Sequence, residues 1–194
     1  MTTPPPAAHP PSTILVLETA RLRLRPFAPT DAVAVRRLAG APEVAATTLN
    51  IPHPYPEGAA EQWIGGHTAA AAEGRGFTWA IVRQADDELL GAVGCIITPA
   101  HARAELGYWL GVPYWNQGYM TESVRRVVAF GFASLGLHRI QSTALPRNVA
   151  SWRVMEKAGL RREGILRSYV RKNDLFEDIV IYALLRTDAA AAPV

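Results

Sequence analysis

The sequence predicts an α+β protein built around one mixed β-sheet. About seven stretches alternate apolar and polar residues or run as short apolar segments, as strands do, and about four others repeat apolar residues at helical spacing. In chain order they read β-α-α-β-β-β-α-β-α-β-β, which differs from the regular alternation of a doubly wound parallel sheet. The length of 194 residues, 49% of them hydrophobic, suits one domain with a substantial core.

The two ends of the chain are expected to lie outside that domain. Residues 1–13 are proline-rich and predict a disordered, extended segment, residues 14–187 a single domain, and residues 188–194 a flexible tail. The N-terminus lacks the basic start and apolar core of a secretory signal, and no apolar run approaches the ~18 residues of a membrane span. A cytoplasmic protein that does not bind a membrane is therefore expected.

Charge and cysteine content narrow the function classes. The formal charge is +3, and the arginines that dominate the positive charge are spread along the chain rather than gathered in a block. This pattern favours solvated faces over a nucleic-acid-binding stripe. A single cysteine, Cys95, excludes an intrachain disulfide or a cysteine zinc cluster, and its apolar surroundings predict an inert core residue.

The N-terminal third is expected to form one strand and two helices. Leucines and arginines alternate over Glu18–Arg25, which predicts a half-buried strand. Thr30 or Asp31 can cap a helix that runs to about Ala39. The second helix is expected over Pro56–Glu73, because proline is tolerated in a first helical turn.

A long loop, residues 40–56, separates these two helices. It holds four prolines, with His53 and Tyr55 between the last of them. Loops of this length usually carry function or disorder, so the loop predicts a wall of a substrate site. His53 and Tyr55 are its candidate substrate-binding residues.

The rest of the chain predicts six more strands and two helices. An antiparallel hairpin is expected near residues 77–97, and a capped helix is expected to start at Asn148 and to end before Gly159. The expected elements are strands Phe77–Arg83, Glu88–Ile97, Ala102–Gly111, His138–Ala144, Leu160–Val170 and Phe176–Leu185, and helices Tyr119–Leu135 and Asn148–Ala158.

The stretch Glu105–Ser123, ELGYWLGVPYWNQGYMTES, is the most informative part of the sequence. Pro113 cannot continue a central strand, because it lacks an amide donor, and Gly118 allows a turn that other residues resist. The helix that follows directs unpaired N–H groups and the positive end of its dipole at the loop, which suits a phosphate or pyrophosphate. An ordinary strand–turn–helix would leave the same pattern.

Four segments together resemble a known family. With LETARLRLRPFAPTDA (17–32), NVASWRVMEKAGL (148–160) and FEDIVIYALL (176–185), this stretch resembles the GNAT superfamily of acyl-coenzyme-A-dependent N-acetyltransferases, and most the RimJ/RimL branch, which acetylates N-terminal amines of ribosomal proteins. The segments match in order over roughly residues 17–187. The resemblance implies a mostly antiparallel sheet of about seven strands, splayed at the middle strand and flanked by about four helices, with acetyl-CoA as co-substrate and no metal.

The resemblance also implies a binding site for coenzyme A (CoA). The family's pyrophosphate loop follows the pattern Q/R-x-x-G-x-G/A, and in the window 115–120 only Gly118 matches strictly, since Trp115 and Met120 replace the first and last residues. Main-chain amides are the donors there, and the strand before the loop and the asparagine after it would bind the pantetheine arm. The implied residues are Gln117, Gly118, Tyr119, Met120 and Thr121 on the loop, Leu110, Gly111 and Val112 at the strand end, and Asn148. Gly111 is equally explained as an ordinary strand end.

Direct attack of an amine on a thioester needs a neutral amine. An N-terminal α-amine has a pKa of ~7.7–8.0, against ~10.4 for a lysine side chain, so a carboxylate acting through water is a sufficient base. Glu105, at the start of the central strand, is the candidate. The alternative for Glu105 is a strand-end carboxylate that lies in solvent or is paired with Arg103.

The departing thiolate needs stabilisation or a proton. Many family members place a tyrosine seven positions after the asparagine, where this chain has Met155, which cannot donate. In the RimL-like branch a serine three positions after the asparagine is the implied acid, and here that residue is Ser151. A thiol pKa near ~8.5 makes a weak donor sufficient. The alternative is a first-turn serine that bonds only to backbone.

Three functions are consistent with these residues. The first is acetylation of a protein N-terminus, by a monomer or homodimer; the second is acetylation of a small amine; the third is a non-catalytic acyl-CoA-binding module, which the missing tyrosine would explain. A polyamine or aminoglycoside site should gather carboxylates, yet residues 47–56 contain none. This favours an uncharged or peptide-like acceptor.

Overall fold

The computed structural model describes residues 11–191, so most of the proline-rich segment 1–13 and the end of the tail 188–194 lie outside the described residues. The strands are β1 (Leu17–Glu18), β2 (Leu22–Arg25), β3 (Gly76–Arg83), β4 (Leu89–Thr98), β5 (Arg103–Leu110), β6 (Arg139–Ala144), β7 (Arg161–Lys172) and β8 (Leu175–Leu185). The helices are α1 (Ala32–Ala39), α2 (Pro42–Thr47), α3 (Ala59–Gly65), α4 (His67–Ala72), α5 (Tyr119–Ser134), α6 (Val149–Lys157) and α7 (Arg186–Ala191).

The strands form one mixed sheet in the order β1-β2-β3-β4-β5-β6-β8-β7. Every neighbouring pair is antiparallel except β5 and β6, which run parallel because α5 crosses over between them. This confirms the predicted α+β class and the mostly antiparallel sheet. The sheet has eight strands rather than about seven, because a turn closed by the Thr19 amide on the Leu22 carbonyl (2.9 Å) divides the first predicted strand into β1 and β2.

The helices differ from the prediction in the substrate-wall region. Helix α2 lies inside the predicted loop 40–56, and Pro42 occupies its first turn. The single helix expected from Pro56 is wrong: α3 begins at Ala59 after Gly58, whose φ is +73°, and α3 is separated from α4 at Gly66. Helix α7 takes up residues 188–191 of the predicted tail.

Helices cover both faces of the sheet. Trp63 of α3 packs against Trp109 of β5, with ring centroids 6.4 Å apart, on the face covered by α1–α4. On the opposite face Phe130 of α5 meets Trp79 of β3 edge-on at 5.6 Å. Cys95 lies buried in β4, and burial raises the pKa of its thiol to about 12, in keeping with the predicted inert core residue.

The parallel pair β5–β6 separates part-way along its length. The two strands pair from Arg103↔Arg139 to Leu106↔Ser142, whereas β5 stays paired with β4 as far as Leu110. Beyond Leu106 the edge of β5 that faces β6 is therefore open, which is the splay expected at the middle strand. Within residues 11–191, none of the helices has the length and apolar character needed to cross a bilayer.

Candidate functional site

A cavity of about 540 Å³ lies where β5 and β6 separate. Side chains of a strand point alternately to the two faces of its sheet. Glu105, Gly107 and Trp109 of β5 therefore face the α1–α4 side, while Tyr108 faces α6. The cavity is lined from both sides, and so it passes through the sheet at the splay.

On the α1–α4 side the wall is mostly apolar. Tyr55, Trp63 and Trp109 line it, together with residues 47–52 from the end of α2 and the loop after it. The predicted substrate-wall loop thus does border the cavity, and burial, aided by the charge of Glu61, raises the pKa of Tyr55. His53 is not among the lining residues: it is exposed, and its Nδ1 lies 3.1 Å from the Gly40 carbonyl oxygen.

Glu105 is the one acidic residue that lines the cavity within the described chain. Thr143 donates to its Oε1 at 3.1 Å, and the Gln141 amide donates to its Oε2 at 3.3 Å. Glu105 does not pair with Arg103, as one alternative from the sequence had it. The two hydrogen-bond donors to its carboxylate are instead neutral side chains of β6. Glu105 lines the cavity and is exposed, so its carboxylate is open to water.

Asn148 and Ser151 lie together on the α6 side of the cavity. The Asn148 side chain accepts the Ser151 amide (3.1 Å) as the cap of α6, as predicted, and donates to the Thr47 carbonyl (3.0 Å). Asn148 thereby ties the start of α6 to the opposite wall. Met155, at the position of the family's tyrosine, is fully buried and faces the core.

Tyr108 reaches Ser151 across the splay, a contact that sequence reasoning missed. Its hydroxyl lies 3.0 Å from Ser151 Oγ and 3.1 Å from the Ser151 carbonyl oxygen. Burial raises the pKa of Tyr108 to about 12, so the phenol stays protonated near neutral pH. In the sequence Tyr108 is only an inward-facing strand residue, and no local pattern indicates its partner 43 residues away.

The loop before α5 ends in a left-handed glycine. Gly118 has φ +81° and is the N-cap residue of the 16-residue helix, with no side chain capping it. The first helical bond there runs from the Glu122 amide to the Gly118 carbonyl (3.0 Å), so the three amides before it have no helical acceptor. Those amides belong to Tyr119, Met120 and Thr121. The Tyr119 and Met120 side chains are buried, which leaves only their main chain for a ligand.

Arg21, from the turn between β1 and β2, braces this loop and was also missed from the sequence. Its guanidinium donates to the Gln117 carbonyl (3.1 Å) and pairs with Glu122 (2.7 Å). It also stacks over the Tyr119 ring at 4.5 Å. The Gln117 side chain turns back to the Pro113 carbonyl (2.9 Å), so Gln117 shapes the loop through its own bonds.

The strand end offers fewer free donors than predicted. Gly111 donates its amide to the Leu90 carbonyl (2.9 Å) and accepts the Tyr114 amide, which removes the Gly111 amide from the candidate donors. Since alternate residues of an antiparallel strand bond to opposite sides, the amides of Tyr108 and Leu110 point to the open edge of β5. The Leu110 carbonyl on that edge accepts the indole N–H of Trp115 (2.8 Å).

The arrangement combines three parts that acyl transfer needs. A helix N-terminus with free amides can hold an anion, an open strand edge can pair with an extended arm, and the cavity beyond it brings Glu105, Tyr108 and Ser151 to one space. Within the described residues, no group of three or more His, Cys, Asp or Glu side chains is placed to hold a metal ion.

Comparisons with known proteins show the family to which the chain belongs. A family model described as acetyltransferase (GNAT) domain matches residues 21–161. The chain is 33% identical over 172 residues to the uncharacterized N-acetyltransferase YoaA of Bacillus subtilis, which covers 88% of this chain and 97% of the relative. It is 28% identical over 110 residues to the ribosomal-protein-serine acetyltransferase of Escherichia coli, covering 56% and 62% of the two chains.

A solved structure shares the fold. RimL, described as a ribosomal L7/L12 alpha-N-protein acetyltransferase in complex with coenzyme A, superposes with a TM-score of 0.81 at 19% identity and covers 88% of this chain and 98% of its own. At that identity the likeness concerns the fold alone. The family match extends over most of the described residues, from β2 to the first residue of β7. This protein therefore belongs to the acetyltransferase (GNAT) domain family and is an acetyltransferase.

Proposed function

We propose that the protein transfers the acetyl group of acetyl-CoA to the α-amine at the N-terminus of a protein. The observation that carries this proposal is the cavity at the end of the β5–β6 pairing, where Glu105, Ser151 and Asn148 lie along one passage through the sheet. The predicted alternatives were a small-amine acetyltransferase and a non-catalytic acyl-CoA binder. Membership of an acetyltransferase family argues against the non-catalytic alternative.

The donor would occupy the α6 side. The diphosphate would accept hydrogen bonds from the free amides of Tyr119, Met120 and Thr121. The positive end of the α5 dipole and the αL conformation of Gly118 would favour its binding there. The pantetheine arm would extend along the open edge of β5, where the Leu110 amide is available. Asn148 remains a candidate contact, although its side chain already bonds to Ser151 and Thr47. Val112 stays a candidate through its amide.

The acceptor would enter from the opposite side, between residues 47–55 and β5. A polyamine or an aminoglycoside carries several positive charges, yet Glu105 alone among the described lining residues is charged. An extended N-terminal peptide has one α-amine and needs mostly apolar and main-chain contacts, which this wall supplies. The ribosomal-protein-serine acetyltransferase and RimL, acting on proteins by their descriptions, support the same class of acceptor.

The chemistry follows from this placement. The amine nitrogen attacks the thioester carbon, the carbon–sulfur bond breaks, and one proton passes in total from nitrogen to sulfur. Where the amine starts as the ammonium form, Glu105, open to water, would first take its extra proton through a water molecule and release it to solvent. Such a base suffices for an α-amine with a pKa of ~7.7–8.0. The amides on the open edge of β5 would stabilise the carbonyl oxygen as it gains charge. Ser151 would donate to the leaving sulfur.

An acetylation screen tests the acceptor class. Purified protein and acetyl-CoA are incubated with Ser- and Ala-initiated peptides that each contain an internal lysine, and with a polyamine, an aminoglycoside and free amino acids. Thiol release gives the rate, and fragmentation of the product in a mass spectrometer gives the acetylated nitrogen. We expect α-amine acetylation of peptides, and none of the same peptides with a blocked N-terminus.

Two results would contradict the proposal in different ways. Turnover with small amines only would leave an acetyltransferase with another acceptor. CoA that binds, measured by calorimetry, without turnover of any amine would revive the non-catalytic alternative.

A further inference from the structure

Tyr108 and Ser151 form a hydroxyl pair in the wall of the cavity, and the function considered so far uses only one of them. Tyr108 lies on the part of β5 that has left β6, two residues past the last paired residue, Leu106. Ser151 is on the first turn of α6. The pair is therefore a side-chain link across the splay at the level of the cavity, with the two hydroxyl oxygens 3.0 Å apart.

The position of one proton decides what this pair can do. Tyr108 has a single hydroxyl proton and two acceptors within reach, the Ser151 carbonyl at 3.1 Å and Ser151 Oγ at 3.0 Å. If Tyr108 donates to the carbonyl, Ser151 donates to Tyr108 and its proton points away from the cavity. If Tyr108 donates to Oγ, the Ser151 proton is free to point into the cavity.

Neighbouring groups do not compete for the two hydroxyl protons of this pair. The Ser142 hydroxyl, which also lies close to Tyr108, donates its proton to the Leu106 carbonyl (3.0 Å). The amide of Ser151 is bonded to the Asn148 cap (3.1 Å), which holds the start of α6 in place. The Ser151 hydroxyl is thus left with Tyr108 and with whatever enters the cavity.

We propose that Tyr108 is a positioning residue that donates its hydroxyl proton to Ser151 Oγ, so that Ser151 directs its own proton at the leaving sulfur of acetyl-CoA. This inference rests on the proposed function. Tyr108 would thus compensate for the tyrosine that α6 lacks. Its phenol, on β5, would act through Ser151 and would not contact the sulfur itself.

The proton balance agrees with a positioning role. A phenol with a pKa of about 12 does not give up its proton to a thiolate whose conjugate thiol has a pKa near ~8.5. The sulfur instead receives the proton that the amine nitrogen loses, and the Ser151 hydroxyl can pass it on by accepting one proton and releasing another. Tyr108 keeps its own proton throughout and stabilises Ser151 Oγ in the donating orientation.

A binding experiment without acceptor isolates this role. The ultraviolet absorbance of the CoA thiolate, followed against pH in the complex of the protein with CoA, gives the pKa of the bound thiol. A hydrogen bond from Ser151 favours the thiolate, so the wild type should lower that pKa by about one pH unit relative to free CoA. Tyr108→Phe and Ser151→Ala should each return the pKa toward the free value.

Tyr182→Phe is the matched control. Tyr182 of β8 also anchors its strand to α6, through a 3.1 Å bond from its hydroxyl to Glu156, but it does not line the cavity. If Tyr108 serves only to hold α6 in place, the two Tyr→Phe variants should have similar effects. We expect Tyr182→Phe to leave the thiol pKa and the CoA affinity unchanged.

Turnover in a double-mutant cycle completes the test, with the best acceptor of the screen. Tyr108→Phe should lower kcat about 10-fold with little change in KM, as expected for one lost hydrogen bond, and Ser151→Ala about 100-fold. In the Ser151→Ala background, Tyr108→Phe should have less than about a twofold effect.

Three results would overturn the inference. The pKa of the bound thiol in Tyr108→Phe could equal that in the wild type, or Tyr108→Phe could lower kcat as much in the Ser151→Ala background as in the wild type. Tyr182→Phe could also change the thiol pKa and kcat as much as Tyr108→Phe does. Each of these can occur while the wild type binds CoA and acetylates peptides. Absence of CoA binding by the wild type would instead refute the proposed function.

Discussion

Gly107 is the first residue of β5 beyond its pairing with β6. It lines the cavity between Glu105 and Trp109 on β5, is exposed, and would place a Cβ where no atom lies within 4 Å. We predict that Gly107→Val leaves the melting temperature unchanged or slightly higher, because valine favours a strand more than glycine does. The added methyl groups narrow the passage, so kcat/KM for the acceptor should fall at least about 10-fold, as steady-state kinetics would reveal.

Gly164→Val on β7 is the control for this substitution. Gly164 also has no atom within 4 Å of its Cβ position, and it lies away from the cavity lining. The control should keep wild-type kinetics. Wild-type kinetics in Gly107→Val would show that the acceptor does not pass this point.

His67 contributes a pH-dependent part of the stability. It lies in an aromatic cluster with Trp63 (ring centroids 4.5 Å) and Phe27 (5.5 Å), and burial lowers its pKa to about 4. Between that value and the unfolded pKa near ~6.5 the unfolded chain binds more protons, so the unfolding free energy falls as the pH decreases through this window. Because His67 is partly accessible to solvent, we expect a loss of about 1 kcal/mol from pH 7 to pH 5.

Urea unfolding of His67→Phe at the two pH values tests this expectation. Phenylalanine keeps the aromatic contacts and cannot be protonated, so the variant should lose about 1 kcal/mol less than the wild type between pH 7 and pH 5. His101→Gln, at an exposed position, should behave as the wild type. Equal losses in His67→Phe and wild type would mean that the burial of His67 has no energetic consequence.

At the scale of elements, the N-terminus of α5 is the proposed anion site. Gly118→Asp puts a Cβ on a residue with φ +81° and a negative charge beside the free amides. The Cβ would lie 3.4 Å from Arg21 Nη2, so the aspartate would also draw that guanidinium toward itself. We predict that the Kd for CoA rises about 10- to 100-fold in isothermal calorimetry, through repulsion of the diphosphate and loss of close approach to the backbone.

Gly58→Asp is the control for this substitution. It introduces the same charge and the same backbone strain at a left-handed glycine outside the loop before α5. Gly58 is the left-handed N-cap of α3, with φ +73° and no atom within 4 Å of its Cβ position. The same substitution there should leave the affinity for CoA unchanged. A Gly118→Asp protein that binds CoA as the wild type does would remove the loop from the proposed donor site.

The elements with the clearest local sequence patterns were predicted most accurately. The strands β3–β6 and helix α5 were expected within about two residues, because period-2 and period-3.6 patterns record which side chains are buried. The region of α2–α4 was expected as one loop and one helix. Short, alanine-rich segments there have weak periodicity. The break between α3 and α4 falls at the glycine pair Gly65-Gly66, whose low helix propensity the predicted single helix did not take into account.

At the scale of the whole molecule, binding of the donor at the splay should increase the stability of the sheet. A ligand that pairs with the open edge of β5 and also contacts α6 bridges the two halves where β5 and β6 have separated. We predict that CoA at about 100 times its Kd adds ~2.7 kcal/mol to the unfolding free energy and raises Tm by about 5 to 10 °C, measured by calorimetry or dye fluorescence.

ADP provides the comparison for this prediction. It offers a diphosphate to the α5 loop but lacks the arm that would span the splay. ADP should therefore bind more weakly, and its effect on Tm should be smaller at the same concentration as CoA. An equal shift with ADP would place the stabilisation at the loop alone, and no shift with CoA would contradict the donor site.

The amino-acid sequence by itself determined the fold class, the helix cap at Asn148 and the glycine turn at Gly118. Each depends on residues that are neighbours in the chain: side-chain alternation, a capping amide, a left-handed residue before a helix. Such features are decided by local sterics and by burial of one face, which a pattern of residue types records.

Only the tertiary structure decided how the site is assembled. The partners of Tyr108, Glu105 and Arg21 lie 43, 38 and 96 residues away along the chain. Their contacts depend on where the pairing of β5 with β6 stops, and that point is set by the competition among neighbouring strands and the helices packed on them. A sequence pattern shows which face of a strand is buried, whereas the group that meets it across a gap is a property of the assembled sheet.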